Sequence, residues 1–320
     1  MPRVPCAILR QTLTTVSRKN QTFKVVEVGA RDGLQNEKQI ISTEDKIALI
    51  NRLSQCGFQS IEATSFVSPK WIPQMADHQE VIQKITKYPG VSYPVLVPNR
   101  AGLDNVLKNG NVKEIAVFGA ASESFSKKNV NAGLDESLRK LQEVTKVAVK
   151  EGLRVRGYVS CVVGCPYEGK IDSAVVARVT GTLLDSGCYE VSLGDTIGVG
   201  SAGSVGSMLD TVLKSVPVSK LAVHFHDTYG QALANIIVAI EKGIRVADSS
   251  IAGLGGCPYA KGATGNLATE DLVYMLHDMG FDTGIDLDKL IETSMWICSK
   301  MGRSNASRAA RALMAKRPDE

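Results

Sequence analysis

Leu221-Ala222-Val223-His224-Phe225-His226-Asp227 is a run of β-forming residues that closes on two histidines. Side chains along a strand alternate between faces with a period of two. Leu221, Val223 and Phe225 therefore share an apolar face suited to packing on helices, and Ala222, His224 and His226 share the other. Two imidazoles at one strand end read in two ways. They are either metal ligands, a role for which neutral imidazole is the commonest side chain, or histidines whose hydrogen bonds are satisfied in a polar strand end. Immediately downstream, Thr228 to Gln231 has the T-x-x-Q form of a capping box, which predicts a helix beginning there.

The same strand-then-helix pattern runs outward in both directions. Strands are expected at 23–28, 58–63, 91–97, 112–118, 154–160 and 189–193, then the histidine strand, then 245–251. Helical spacing of apolar residues marks 43–56, a stretch through Val81, Ile82 and Ile85, a short helix at 103–107, and the long helix 134–150. Further helices are expected at 174–184 and 204–213, through Ile236 and Ile240, and at 267–276 and 287–298, whereas 122–131 reads as a polar loop. Eight units over roughly 250 residues match a (β/α)8 TIM barrel. A doubly wound open sheet would require G-x-G-x-x-G in its first βα turn, and Gly29-Ala30-Arg31-Asp32-Gly33 does not supply it. We expect one barrel domain over residues 21–302, with helix 287–298 as a short C-terminal extension and a frayed basic tail at 303–320.

Composition narrows the function classes. Apolar residues make up 44% of the 320 and charged residues 22%, which suits a globular chain with a substantial core. The net charge is only +4, without a basic run and with few aromatics, so a nucleic-acid partner is not expected. Nor is a membrane partner, because no apolar run reaches the roughly 20 residues of a span. Seven scattered cysteines argue against a disulfide framework. Cys56, Cys188 and Cys298 read as small core residues, and Cys161 with Cys165 lacks the second pair that a zinc site needs. Residues 1–20 carry Arg3, Arg10, Arg18 and Lys19 and nothing acidic, with Cys6, Leu9, Leu13 and Val16 able to form an apolar face; this is the composition of a mitochondrial transit segment.

A barrel places its functional groups at the C-terminal ends of its strands. Arg31 and Asp32 follow the first strand, Glu62 ends the second, Ser192 and Asp195 end the sixth, and His224 and His226 end the seventh. The glycine-rich loop Gly253-Leu254-Gly255-Gly256-Cys257-Pro258-Tyr259 follows the eighth. Asp32, His224, His226 and Asn266 could supply a nitrogen and oxygen ligand set, which favours Mg2+ or Mn2+ and would also accept zinc. Such an ion can polarise a carbonyl or acidify a hydroxyl. Arg31 adds a fixed positive charge able to stabilise an enolate-type anion. Cys257 is either an inert loop thiol or, from a starting pKa of about 8.5, a group within reach of acid–base work.

Gly29-Ala30-Arg31-Asp32-Gly33-Leu34-Gln35-Asn36-Glu37, Phe118-Gly119-Ala120-Ala121-Ser122-Glu123 and Ser192-Leu193-Gly194-Asp195-Thr196-Ile197-Gly198 resemble the 3-hydroxy-3-methylglutaryl-CoA lyase family. So do Ser250 through Tyr259 and Gly265-Asn266-Leu267-Ala268-Thr269-Glu270, and the likeness covers about residues 23–300. The resemblance implies cleavage of 3-hydroxy-3-methylglutaryl-CoA to acetyl-CoA and acetoacetate, a step of leucine breakdown and ketone-body formation. It implies that Asp32, His224, His226 and Asn266 hold a divalent cation and that Arg31 stabilises the acetyl-CoA enolate. It further implies proton transfer by Cys257, support from Glu62, Asp195 and Glu270, a substrate-side contact by Gln35, and a homodimer of the mitochondrial matrix, with the cytosol as the other location. Phe225 stands where relatives often have a smaller residue, on the face turned from the metal. The C-terminal cysteine and peroxisomal ending of some relatives are missing. Two other readings are a related Claisen-type condensing enzyme, which usually carries further C-terminal domains, and a catalytically silent barrel that binds CoA esters.

Overall fold

The computed structural model describes residues 21–37, 39–256 and 265–316. Nine parallel segments form its main sheet: β1 (Lys24–Glu27), β2 (Ser60–Ile61), β3 (Thr64–Ser65), β4 (Val95–Leu96), β5 (Glu114–Ala120), β6 (Arg154–Ser160), β7 (Glu190–Asp195), β8 (Leu221–Phe225) and β9 (Val246–Ser249). Their order is β2-β1-β9-β8-β7-β6-β5-β4-β3. The two outermost segments, β2 and β3, belong to one stretch of chain interrupted only by Glu62 and Ala63. Across that interruption the Glu62 N–H donates to Glu27 O (2.8 Å) and the Ala63 N–H to Pro94 O (2.9 Å). The sheet thus closes on itself as an eight-stranded barrel, the architecture expected from the alternation.

Helices cover the outside: α1 (Thr43–Ser54), α2 (His78–Lys84), α3 (Arg100–Asn109), α4 (Glu123–Val130), α5 (Leu134–Lys150), α6 (Ser173–Asp185), α7 (Ala202–Val212), α8 (Ala232–Glu241), α9 (Thr269–Asp278), α10 (Leu287–Lys300) and α11 (Arg308–Met314). In α1, Ser42 accepts the Asp45 N–H as N-cap, and Leu49, Ile50 and Leu53 turn one face onto the sheet. Each such fully buried side chain contributes about 1.5–3 kcal/mol. The helix stops before Gly57 (φ +98°), where a Cβ would lie 2.0 Å from the Gly284 carbonyl oxygen. The apolar core fills the layer between sheet and helices, while inside the barrel Leu96, Ala116 and Tyr158 form a small separate cluster beneath the polar rim.

Three local expectations need correction. The helix after the histidine strand begins at Ala232, not at Thr228: Asp227 Oδ1 accepts the Ala232 N–H (2.9 Å), and Gly230 (φ +68°) ends a turn that a helix could not contain. The segment 122–131 is helical rather than a loop, because Ser122 caps it, Glu123 pairs with Lys127 (3.1 Å) and Phe125 is buried. The basic tail is tied down through residue 316. Arg303 pairs with Glu37, Asn305 Nδ2 donates to Ser294 Oγ (2.8 Å), and Asp271 accepts Ser307 Oγ–H and the Ala309 N–H (both 2.7 Å) at the start of α11. The Ala306 N–H reaches Ala252 O (3.2 Å), so this segment braces the turn that follows β9.

Candidate active site

The turn after β1 is a single wide coil, Gly29–Gly33, in which the Val28 carbonyl accepts the N–H groups of both Arg31 (3.2 Å) and Gly33 (3.1 Å). It turns two consecutive side chains toward the barrel mouth. Arg31 Nη1 donates to Asp32 Oδ1 (2.7 Å) and Nη2 to Glu62 Oε2 (2.9 Å), which also accepts the Tyr158 hydroxyl (3.0 Å). Burial opposes charge on this guanidinium, but Glu62 and Asp32 outweigh it and raise its pKa further. Burial likewise disfavours an ionised Asp32, yet Arg31 and the two imidazoles hold its carboxyl well below the usual range.

Asp32, His224 and His226 each offer a ligand atom within 4.8 Å of the others. His224 Nε2 lies 3.8 Å from Asp32 Oδ2. Asn266 joins the cluster through Nδ2, which donates to Asp32 Oδ2 (2.8 Å) and to Leu254 O (3.2 Å). Burial, and then the His224 charge, lower His226 to about 4, so it is neutral at physiological pH. Its buried Nδ1 has no hydrogen-bond partner among the described residues. A carboxylate and two imidazoles, one of them with an orphaned ring nitrogen, fit a divalent cation, since a buried polar atom left unpaired is otherwise costly.

The remaining expected residues divide. Glu62 is in the cluster through Arg31. Asp195 accepts the N–H groups of Val199 (3.3 Å) and Gly200 (2.7 Å), ordering the loop after β7. Glu270 holds a backbone: both its oxygens accept the Ala252 N–H at 3.0 Å, and Ala252 is fully buried at φ +56°. Burial pushes Glu270 up to about 7. Gln35 is half-buried, two residues past the coil that carries Arg31 and Asp32. Cys257 and residues 1–20 lie outside the described residues.

Sequence reading missed a buried polar column beneath the histidines. Arg156 Nε donates to Glu190 Oε1 (2.7 Å), and its Nη2 to Asp248 Oδ1 (2.8 Å). Ser192 Oγ–H donates to Asp248 Oδ2 (2.8 Å), with His224 Nδ1 3.3 Å from the same oxygen. The period-two pattern of Arg154-Val155-Arg156-Gly157-Tyr158 carried the signal, because it sets Arg156 and Tyr158 on one face.

A family model described as HMGL-like matches residues 22–297. The chain belongs to the HMGL-like family. A relative named mitochondrial hydroxymethylglutaryl-CoA lyase from Bos taurus is 58% identical over 98% of this chain and 97% of its own length. The crystal structure of hydroxymethylglutaryl-CoA lyase from Pseudomonas aeruginosa superposes with a TM-score of 0.91 at 53% identity, covering 94% of this chain and 100% of that one. The structure of an HMG-CoA lyase from Acinetobacter baumannii in complex with coenzyme A and 3-methylmalate gives a TM-score of 0.86 at 37% identity, over 91% of this HMGL-like chain and 95% of its own.

Proposed function

We propose that this HMGL-like chain cleaves 3-hydroxy-3-methylglutaryl-CoA to acetyl-CoA and acetoacetate. The carrying observation is the Arg31–Asp32 pair in one coil, with Asp32 shared between the guanidinium and the two-histidine cluster. Asp32, His224, His226 and Asn266 would hold a divalent cation, which we take to be Mg2+ or Mn2+ on the oxygen content of the set; when bound it supplies a Lewis acid for the substrate's oxygens.

The tertiary hydroxyl loses its proton to a base, the carbonyl of acetoacetate forms, and the bond to the thioester α-carbon breaks with its electron pair passing to the thioester. Arg31, fixed between Asp32 and Glu62, sets a permanent charge where that enolate develops, without having to reorganise during the reaction. Glu62 and Tyr158 position the guanidinium. Asp195 and Glu270 act at one remove, by ordering the loop after β7 and the turn after β9. Gln35 is the substrate-side contact, and Cys257 serves in the proton transfer that ends with a proton on the enolate carbon; both roles follow the family resemblance. The location we infer is mitochondrial, as in the name of the bovine relative, and the assembly a homodimer. Among the described residues no helix is long and apolar enough to cross a membrane.

The test is acetoacetate release from 3-hydroxy-3-methylglutaryl-CoA by chelator-treated protein, before and after adding Mg2+ or Mn2+. Release restored by either ion is expected. Folded protein that releases none with either ion would refute the reading.

A further inference from the structure

We propose that Asp248 is the positioning residue for His224, fixing the proton on Nδ1 so that Nε2 presents its lone pair to the cluster. The two residues sit opposite each other in the parallel register of β8 and β9, as Arg156 and Glu190 do in β6 and β7. Strand register alone thus brings the carboxylate to the ring. Asp248 is 1% exposed and its oxygens are surrounded by donors: Arg156 Nη2 on Oδ1 (2.8 Å), Ser192 Oγ (2.8 Å) and Arg156 Nη1 (3.3 Å) on Oδ2. A carboxylate so held is an acceptor only, and the ring nitrogen 3.3 Å from Oδ2 must be the one bearing hydrogen. Tyr158 meets the ring edge-on, centroids 6.1 Å apart, and limits its rotation. Glu190 balances the charge of Arg156 through Nε, leaving the other edge of the guanidinium for Asp248.

This inference rests on His224 being a metal ligand, but one of its readouts does not need the metal. The first measurement is a long-range 15N–1H correlation spectrum of histidine-labelled, metal-free protein at alkaline pH, where only four histidines contribute. His224 is expected as the Nδ1–H form; an Nε2–H form would overturn the proposal. The second is Mn2+ affinity by titration. Asp248→Asn should lower it by about 10–100-fold and give a mixture of ring forms. Glu190→Gln, which loosens the same network one step further away, should reduce stability and leave the His224 ring form unchanged. Folded Asp248→Asn with undiminished Mn2+ affinity would overturn the proposal; if that variant does not fold, the wild-type spectrum decides alone. Wild-type protein that binds no Mn2+ would count against the metal reading, while the spectrum would still decide the role of Asp248.

Discussion

Replacing Glu27 with Gln should make the protein more stable at neutral and alkaline pH and leave it unchanged in mild acid. Glu27 is fully buried at the end of β1; its Oε1 accepts the N–H groups of Gly29 (2.7 Å) and Ile251 (2.9 Å), and Oε2 meets Thr269 Oγ1 at 2.6 Å. Burial pushes its carboxyl from 4.5 up to about 8, against the pull of those three bonds. The folded protein therefore keeps a proton that the unfolded chain releases above pH 4.5. The stabilisation linked to that proton is complete below 4.5 and is lost as pH rises through about 8. At about 1.36 kcal/mol per unit, that gap bounds the effect at ~5 kcal/mol. Glutamine offers the protonated shape with no proton to lose: Oε1 still accepts two N–H groups, and Nε2 donates to the Thr269 hydroxyl. Urea unfolding followed by circular dichroism from pH 5 to 9 should show two curves that meet in acid and separate by a few kcal/mol at the alkaline end. Glu270 titrates in both proteins and its charge adds to the rise of Glu27, so their difference reports Glu27 together with that coupling. Parallel curves across the range would refute the reasoning.

Other outcomes follow from single contacts. Arg31→Met should lower kcat by about 10²–10³-fold with far-UV circular dichroism preserved, as expected for loss of one preorganised donor to a developing anion; near-normal turnover would remove Arg31 from the chemistry. Gly265→Ala would put a Cβ 1.7 Å from the Gly255 carbonyl oxygen at φ +90°, displacing the neighbouring Asn266. Mn2+ titration should then show weaker binding, and unaltered binding would exclude Asn266 from the ligand set. Asp271→Ala removes the side chain that caps α11 and should cost about 1–2 kcal/mol, with faster limited proteolysis within 303–316; equal cleavage rates would show that the cap carries no load.

The barrel was legible because its signals are periodic: alternating strands, helices with one apolar face, and chemistry gathered at one strand end. His224 and His226 were visible as a pair on one face, and Arg31 with Asp32 as neighbours in a bend. Asp248 and Arg156 were not, since a charged residue in a strand ordinarily marks the solvent face. Only closure of the sheet turns that face inward, and closure is a property of register between distant segments. Thr228 to Gln231 misled for a related reason: Asp227, outside the four-residue pattern, competes for the first free N–H of the helix and wins. The role of Glu270 was half legible. The family resemblance of Gly265 through Glu270 implied a part in the site, but that its carboxylate would be occupied by the backbone of Ala252 depends on a left-handed residue no sequence pattern announces.

The brace from the C-terminal segment carries a consequence for biosynthesis. Asn305 to Ala309 secure the turn after β9, whose Leu254 carbonyl in turn receives the Asn266 amide. These residues follow all eight barrel strands in sequence, so a ribosome still holding them in its exit tunnel also withholds the support of the rim. The strands can pair and the helices dock before these residues emerge, and the mouth of the barrel gains this support only after them.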